Sequence, residues 1–312
     1  MKTITIFGAS GRQGLSQIKV ALNHGFHVRA VTRRPDSFSL NPTDHLSIIR
    51  ADYHDEASLK PACEGAFAVF LTPTSFTDSF KNSGKIVSVA QAAQAAGVNR
   101  LVLNTSMYVP NSPIGEPIYD GRLNLENALE ATGVPLTVFR PVLFMDNLLT
   151  DWVKPQLISE NIFLYPHNLN MRASWISLDN VAEFMVKSLE SEKLVGKRFV
   201  IGGPDVLKPK DVAEILSGVL NRPIKFEQST PLEFAKLING IFSNVLDLPP
   251  DLHIKMISDF YAYNNASDKS PMAVDMNPVL TLLPVKLMSL KDWALNQNWS
   301  LRRDDETAPL GG

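Results

Sequence analysis

The chain has 312 residues, of which 45% are hydrophobic, so it can bury a large core and is not expected to be disordered. Its formal net charge is −2 and it has no long basic tract, which argues against direct nucleic-acid binding. The single cysteine, Cys63, excludes an intramolecular disulfide, and the six histidines form no motif that predicts a metal site. No apolar run is long enough to span a membrane and a strand begins at once, so we expect a cytoplasmic protein.

In its first part the chain alternates between short apolar strands and helical stretches. The predicted strands are 3–7, 27–32, 46–50, 67–71, 101–103 and 136–139, and the predicted helices are 57–64, 84–96, 120–131 and one that starts after Gly14. Strands that are apolar almost throughout, alternating with helices, indicate a parallel sheet covered on both faces. Right-handed crossovers then predict an α/β fold with a doubly wound Rossmann sheet, whose ligands lie beyond the carboxyl ends of the strands.

Further along, the regular alternation ends and helical segments predominate. The predicted helices are 147–161 (interrupted by Pro155), 179–189, 209–219, 231–243 and 250–263, the predicted strands are 175–177, 198–201 and 225–228, and no element is predicted after 273. We therefore predict a Rossmann domain over 1–150, to which 174–203 returns. Residues 151–173 and 204–300 are expected to form a smaller, mainly helical lobe for a substrate or partner, followed by a polar tail over 301–312.

Three glycines with the spacing G-x-x-G-x-x-G follow the first strand and precede the first helix. Gly8 allows a tight turn, Gly11 lets a phosphate approach the backbone, and Gly14 lets the helix pack closely on the strand. Three further residues of this turn are candidate cofactor contacts: Ser10, Arg12 and Gln13. Strand, glycine turn and helix form the unit that seats a dinucleotide pyrophosphate, so this position favours a cofactor site over a plain glycine-rich turn.

The residues after the second strand indicate which nicotinamide cofactor is bound. An NAD site needs an acidic residue there, which accepts hydrogen bonds from the ribose 2′-hydroxyl. This strand instead ends in Arg33 and Arg34, with no Asp or Glu before Asp36. A guanidinium pairs well with a 2′-phosphate, and Arg12 could add a second cation. We therefore predict NADP(H) rather than NAD(H); the alternative is that these arginines are solvated surface side chains.

The sequence resembles the NmrA-like proteins, which are atypical members of the short-chain dehydrogenase/reductase superfamily. The glycine spacing is shared with the whole superfamily, whereas the combination of motifs is more specific. The matching stretches are 8–14, 31–35, 51–53, 119–122, 140–141, 144–149, 276–278 and 290–293, together with Asp55 and Leu59. Because they extend over nearly the whole chain, the resemblance implies a Rossmann fold and a nicotinamide cofactor.

The resemblance also implies cofactor contacts where the later strands end. These are Asp52 and Tyr53 around the adenine, Thr72 and Thr74 around the ribose and pyrophosphate, Thr105 near the nicotinamide, and Phe144 and Asn147 over the nicotinamide ring. Two of these assignments have a plain structural alternative. The hydroxyls of Thr105 and Ser106 can simply complete hydrogen bonds at the end of a strand, and Phe144 and Asn147 can simply begin a packed helix.

The catalytic pair of short-chain reductases, Tyr-x-x-x-Lys, is absent from this sequence. In such enzymes the lysine holds the ribose and lowers the pKa of the tyrosine, which exchanges a proton. This chain has Tyr119-Asp120-Gly121-Arg122, and the resemblance places Arg122 where relatives often carry the lysine. We assign Arg122 the catalytic role of clamping the ribose, because an arginine stays charged and cannot act as acid or base. Tyr119 and Tyr108 are candidate proton donors, although neither has the family spacing.

Two functions fit these features. The first is an NADPH-dependent reductase that transfers hydride to a small organic substrate such as a quinone, an enone or a dye. The second is a non-catalytic NADP(H) redox sensor that acts through a protein partner, and the arginine at position 122 favours it. The long segment after Pro204, rich in apolar and aromatic side chains, predicts a substrate pocket and favours the reductase. A nucleotide-sugar epimerase is a weaker third alternative, since it too would need the tyrosine-lysine pair.

Overall fold

In the computed structural model of the chain, residues 1–73, 83–242, 248–266 and 270–301 are described. Their strands are β1 (Thr3–Phe7), β2 (His27–Thr32), β3 (Leu46–Arg50), β4 (Ala68–Leu71), β5 (Arg100–Asn104), β6 (Leu136–Pro141), β7 (Leu143–Phe144), β8 (Ile162–Tyr165), β9 (Trp175–Ile176), β10 (Arg198–Ile201) and β11 (Lys225–Gln228). Their helices are α1 (Arg12–Asn23), α2 (Glu56–Cys63), α3 (Ser83–Ala95), α4 (Pro117–Glu130), α5 (Lys154–Ser159), α6 (Leu178–Lys187), α7 (Pro209–Leu220), α8 (Pro231–Phe242), α9 (Pro250–Ala266), α10 (Asn277–Leu282) and α11 (Leu290–Leu295).

Seven parallel strands form the central sheet in the order β3-β2-β1-β4-β5-β6-β10. The chain moves outward from β1 to β3, then crosses back to β4 on the other side of β1. The strand order therefore reverses at β1, and in such sheets ligands bind at the point of reversal, beyond the carboxyl ends of the strands. The predicted doubly wound Rossmann sheet is confirmed.

The residues of β1 show how both faces of the sheet are buried. Ile4 and Ile6 point to one face, where they belong to the same hydrophobic cluster as Phe184 of α6. Phe7 points to the other face and belongs to the cluster that includes Ile86 of α3. All five side chains are at most 1% exposed. Because successive side chains of a strand alternate between faces, an almost entirely apolar strand requires a helical layer on each side.

The last strand of the sheet comes from a distant part of the chain. Strand β10 pairs with β6, and Phe199 lies opposite Phe139 with the ring centroids 5.5 Å apart. The chain thus returns to the sheet after α6. The predicted domain boundaries stay predictions, since the pairing itself does not define where one domain ends.

The remaining elements pack around a second, aromatic core. Two small parallel sheets pair β8 with β11 and β7 with β9. Six buried aromatic side chains lie in this core: Phe163, Tyr165, Trp175, Phe234, Tyr261 and Trp293. Edge-to-face and tilted contacts between such rings stabilise their packing beyond the burial of apolar area. Among the helices of the described residues, none is both long and apolar enough to cross a membrane.

Three sequence predictions about this second region are wrong. The helix predicted over 147–161 is a 3-10 helix at Met145–Leu149 followed by α5, because Pro155 lies in the first turn of α5, where its missing N–H costs no hydrogen bond. Strand β8 was not predicted, since its short apolar run shows no alternation and its partner β11 is remote in sequence. Helices α10 and α11 lie in the tail for which no element was predicted.

Candidate functional site

The glycine turn lies at the point where the strand order reverses. Gly8 has a φ of 78°, a left-handed conformation that favours glycine. The Gly11 N–H donates to the Gly8 carbonyl over 3.2 Å. A Cβ on Gly14 would lie 2.2 Å from the Gly8 carbonyl oxygen, so only glycine fits there. These contacts fix a tight turn that presses the start of α1 against the end of β1.

The N-terminus of α1 has the chemistry of an anion site. Gly11 is its N-cap residue, no side chain caps the first turn, and that turn contains no acidic residue. The first N–H groups of a helix lack partners within the helix, and the helix dipole favours negative charge there. A pyrophosphate therefore fits this end of α1, which is what the glycine spacing predicts.

Arg12 connects this turn to the segment after β7. Its Nη2 donates to the Asp146 carbonyl over 2.9 Å and lies 3.9 Å from the Asp146 carboxylate. The same carboxylate accepts from the Leu178 N–H over 3.1 Å. Burial raises the pKa of Asp146 above its usual range, and the Arg12 charge partly offsets this. Nothing in the motif pointed to Asp146, because the two residues are 134 positions apart.

Gln13 connects the turn to the end of β5. The Asn104 side-chain amide donates to Gln13 Oε1 over 2.7 Å, and Gln13 Nε2 donates to Ser106 Oγ over 2.9 Å. The Ser106 N–H donates to Asn104 Oδ1, which helps to hold Ser106 at a φ of 61°. A serine in this left-handed region carries backbone strain, and such strain is common at functional sites. Asn104 and Ser106 were not among the assigned contacts.

Two of the threonines assigned from the sequence, Thr72 and Thr105, are deeply buried. Thr105 is fully buried, and its hydroxyl lies 2.6 Å from the Met107 carbonyl and 3.1 Å from that of Phe139. This geometry agrees with the plain strand-end alternative for Thr105. Thr72 accepts from Gln17 Nε2 over 2.9 Å. Thr74 lies outside the described residues.

The residues assigned to the adenosine end follow β2 and β3. Arg33 and Arg34 are both exposed, just before a 3-10 helix that begins at Pro35. Asp52 accepts a hydrogen bond from the His54 N–H over 3.0 Å. The half-buried Tyr53 ring stacks on Phe7, with centroids 6.0 Å apart. Both arginine side chains are therefore accessible to a phosphate, while the Tyr53 ring is held against the sheet.

Phe144 and Asn147 are both half-buried and flank Asp146, the partner of Arg12, in the sequence. Phe144 is the last residue of β7 and packs against the sheet core. Asn147 lies in the 3-10 helix, and its amide donates to the Tyr165 hydroxyl over 3.4 Å. Phe144 is the N-cap residue of this 3-10 helix and Asn147 lies in its first turn, which agrees with the structural alternative that the two residues begin a packed helix.

Helix α4 carries Arg122, which is 2% exposed. One turn later, the fully buried Glu126 pairs with both Nε and Nη2 of Arg140, at 2.9 and 2.6 Å. Arg198 Nε also donates to Glu126, over 3.1 Å. This buried pairing joins α4 to β6 and β10, and so fixes the face of α4 that carries Arg122.

Neither candidate tyrosine has the environment of a proton donor. Tyr119 is fully buried, and its hydroxyl donates to Asn264 Oδ1 over 2.9 Å. Burial raises the pKa of the Tyr119 phenol far above its usual value. Burial is also the main cause of the raised pKa of the half-buried Tyr108. In the part of the chain that the structure describes, no group of three or more His, Cys, Asp or Glu residues could hold a metal ion.

The model of the NmrA-like family matches residues 1–294. A (4-alkanoyl-5-oxo-2,5-dihydrofuran-3-yl)methyl phosphate reductase of Streptomyces griseus is 29% identical over 225 residues, 72% of this chain and 76% of the relative. The photosystem II assembly factor Ycf39 of Trieres chinensis is 26% identical over 246 residues, 77% of this chain and 76% of the relative.

Among solved structures, the NADPH complex of an NADPH-dependent quinone oxidoreductase of Escherichia coli has the same fold. It superposes with a TM-score of 0.72 at 20% identity and covers 94% of this chain and 98% of its own. Three observations agree on the family: the glycine turn after β1, the reversal of strand order at β1, and the family match over residues 1–294. The chain belongs to the NmrA-like family.

Proposed function

We propose that this protein is an NADPH-dependent reductase that transfers hydride to a small organic acceptor of the quinone, enone or dye class. The observation that carries this proposal is the uncapped N-terminus of α1 behind the tight glycine turn, with Arg33 and Arg34 exposed after β2. A reductase and an NADPH-bound quinone oxidoreductase among its relatives support it. The cytoplasmic location stays a prediction.

Different residues of the proposed cleft would bind different parts of NADP(H). The pyrophosphate would rest on the backbone of Gly11 and the first turn of α1, with Ser10, Arg12 and Gln13 beside it. Arg33 and Arg34 would hold the 2′-phosphate, and no acidic side chain stands in their place. The remaining contacts would come from Asp52 and Tyr53 at the adenine, Thr72 and Thr74 at the ribose, Arg122 at the nicotinamide ribose, and Thr105, Phe144 and Asn147 at the ring. When bound, the cofactor supplies the hydride.

The proton that completes the reduction has no obvious donor among the tyrosines. Tyr119 donates to Asn264 inside the protein, and Arg122 stays charged. We therefore propose that water supplies the proton, and that Ser106 orients the acceptor. Its hydroxyl, held by Gln13 at the carboxyl end of β5, is half-buried rather than sealed in the core.

The alternative function is an NADP(H) sensor that acts through a protein partner. The buried Tyr119 favours it, because a sensor needs no proton donor. The Arg12–Asp146 contact also favours it, since it couples the cofactor turn to the segment that precedes α6. The Ycf39 relative, named as an assembly factor, supports the same alternative.

Substitutions of Arg122 separate the two functions. We expect Arg122→Lys to retain turnover, because lysine can also donate to the ribose. We expect Arg122→Ala to weaken NADPH binding by about 1.5–3 kcal/mol. NADPH consumption is followed by absorbance over a panel of quinones, enones and dyes. Turnover that survives Arg122→Lys supports the reductase. A panel without turnover, combined with different protease sensitivity of the apo and NADP-bound forms, supports the sensor.

The cofactor site itself is tested at Gly11. Gly11→Val should abolish NADPH binding in calorimetry while the protein remains folded, since the side chain would occupy the place of a phosphate. Gly218→Val in α7 is the matched control, because an added Cβ there meets nothing within 4 Å. Unchanged affinity in a folded Gly11→Val variant would mean that the cofactor does not bind at this turn.

A further inference from the structure

A cavity of about 310 Å³ lies between the first turn of α4 and one face of α9. Ile118 and Tyr119 line the α4 side. Leu252, Met256 and Phe260 line the α9 side, four residues apart along the helix and hence on one face. Leu252 is 45% exposed although it is large and apolar. We call this cavity the α4–α9 groove; its walls are apolar and open to an incoming molecule.

A cluster of aromatic rings forms the floor of the α4–α9 groove; Tyr119 and Phe260 line the cavity and the other rings pack behind them. Tyr119 stacks on Phe260 with centroids 5.4 Å apart and contacts Tyr263 at 5.2 Å and Tyr108 at 6.1 Å. The hydrogen bond to Asn264 fixes the Tyr119 ring in turn. Tyr119 is fully buried beneath Phe260, so the half-buried Phe260, held in place from behind, is the ring that can contact another planar ring system in the groove.

The groove lies about one turn of α4 from Arg122, the residue proposed to hold the nicotinamide ribose. Helix α4 follows β5, so its first turn lies near the carboxyl end of that strand, where ligands of such sheets bind. Ile118 in the groove and Arg122 are four residues apart on α4 and share one face. An acceptor in the groove would therefore lie beside the ribose that Arg122 is proposed to clamp.

Charged side chains stand only at the rim of the groove. Lys255 and Asp259 form an ion pair of 2.5 Å, so their charges largely cancel. The half-buried Glu116 forms no ion pair with any residue that the structure describes. Asp259 chiefly, and Glu116 less, raise the pKa of the Lys255 ammonium. The rim therefore carries an excess of one negative charge, contributed by Glu116.

We propose that the α4–α9 groove binds the acceptor, and that it selects planar aromatic molecules that are neutral or cationic over anionic ones. This inference rests on the proposed reductase function. The volume is about twice that of a 150 Å³ cavity that accommodates one benzene ring, so the groove has room for about two fused rings. The negative faces of the aromatic floor and the Glu116 carboxylate both attract positive charge and repel negative charge.

The charge preference is tested with three naphthalene derivatives that bear a hydroxymethyl, a trimethylammonium or a sulfonate group. Their binding is measured by fluorescence, which does not require turnover, and the matching naphthoquinones are compared by kcat/KM. We expect the sulfonate to bind at least about threefold more weakly than the neutral compound, and Glu116→Gln to remove most of that difference. Glu214→Gln, at an exposed glutamate of α7, is the control. Equal binding of all three derivatives would overturn the charge preference.

The position of the acceptor is tested by filling the groove. Met256→Trp should weaken binding of all three derivatives at least tenfold and raise KM for the naphthoquinones, with NADPH affinity unchanged. The Leu252→Glu variant should bind the sulfonate more weakly than the unmodified protein does. Because Leu252 is already 45% exposed, this variant provides a second test if Met256→Trp does not fold. Ala262→Trp, on an exposed face of α9, is the matched control.

The outcomes distinguish the groove from the reductase function. Naphthoquinone turnover that is insensitive to both groove variants overturns the groove proposal and leaves the reductase standing. Binding of the derivatives that Met256→Trp abolishes, in a protein that turns over no acceptor, supports the groove as a ligand site and overturns the reductase.

Discussion

The two halves of the proposed cofactor cleft are built in different ways. The pyrophosphate half consists of residues that are neighbours in sequence, Gly8, Gly11 and Gly14, and it depends on backbone conformation and on absent side chains. The nicotinamide half consists of side chains brought together from distant segments. Gln13 meets Ser106 across 93 residues, and Tyr119 meets Asn264 across 145. Substitutions in the first half should therefore affect cofactor binding, whereas substitutions in the second half, apart from those of Arg122, should chiefly affect stability.

The largest effect is expected in the second half, at Arg140. Arg140→Ala leaves the fully buried Glu126 with only the Arg198 contact, and breaking a buried ion pair costs about 3–5 kcal/mol. The free energy of unfolding is measured by urea titration. Lys225→Ala, which breaks an exposed pair with Glu227, is the control and should change stability by less than about 1 kcal/mol. Similar small losses for both variants would contradict the central role of the buried pair.

In the first half, we expect Arg33→Ala to weaken NADPH binding by about 1.5–3 kcal/mol while NADH binding and the unfolding free energy stay unchanged. The reason is the loss of a charge-assisted contact to the 2′-phosphate. Arg34→Ala should have a smaller effect, and Arg172→Ala, at an exposed arginine of the other region, should have none. Calorimetric titration with both cofactors is the measurement. Equal affinity for NADPH and NADH in the unmodified protein would refute the cofactor assignment.

Acidic pH should also lower the free energy of unfolding through a residue that packs against the second half of the cleft. Burial lowers the pKa of His167 to about 3, and its ring lies 4.7 Å from that of Tyr165, the partner of Asn147. The unfolded state therefore binds a proton on His167 more readily than the folded state does. The stability that the neutral, buried His167 contributes is complete above about pH 6.5 and falls as the pH is lowered toward 3. From pH 7 to 5 we expect His167 to account for a loss of about 2 kcal/mol.

His167→Phe should remove that part of the pH dependence in urea titrations, whereas His45→Phe, at an exposed histidine, should leave it unchanged. A slope that is the same in all three proteins would show that the pKa of His167 is not lowered in the folded state.

The smallest effect is expected at Tyr119. Tyr119→Phe removes one buried hydrogen bond to Asn264 and should cost about 1 kcal/mol of stability. If Tyr119 only packs, NADPH turnover should change less than about threefold, and Tyr108→Phe provides the comparison. A loss of turnover by more than about tenfold, with cofactor affinity retained, would identify Tyr119 as the proton donor after all.

The sequence by itself determined the sheet and the glycine turn. Strands such as 3–7 and 27–32 are recognisable because each is a short apolar run bounded by turn residues. The spacing of Gly8, Gly11 and Gly14 is that of a single local unit, a strand followed by a glycine turn and a helix. The confirmed strands and the family membership both follow from such short-range patterns. For the same reason, the pyrophosphate half of the proposed cleft could be assigned in advance.

Only the tertiary structure decided what the nicotinamide half is made of. It gave Arg12 a contact with Asp146, turned 147–161 into a 3-10 helix and a short α-helix, and buried the Tyr119 hydroxyl against Asn264. The Arg12–Asp146 and Tyr119–Asn264 contacts are hydrogen bonds between residues that are more than a hundred positions apart. Periodicity and motif spacing describe neighbours along the chain, and so they carry no information about which distant side chain satisfies a buried polar group.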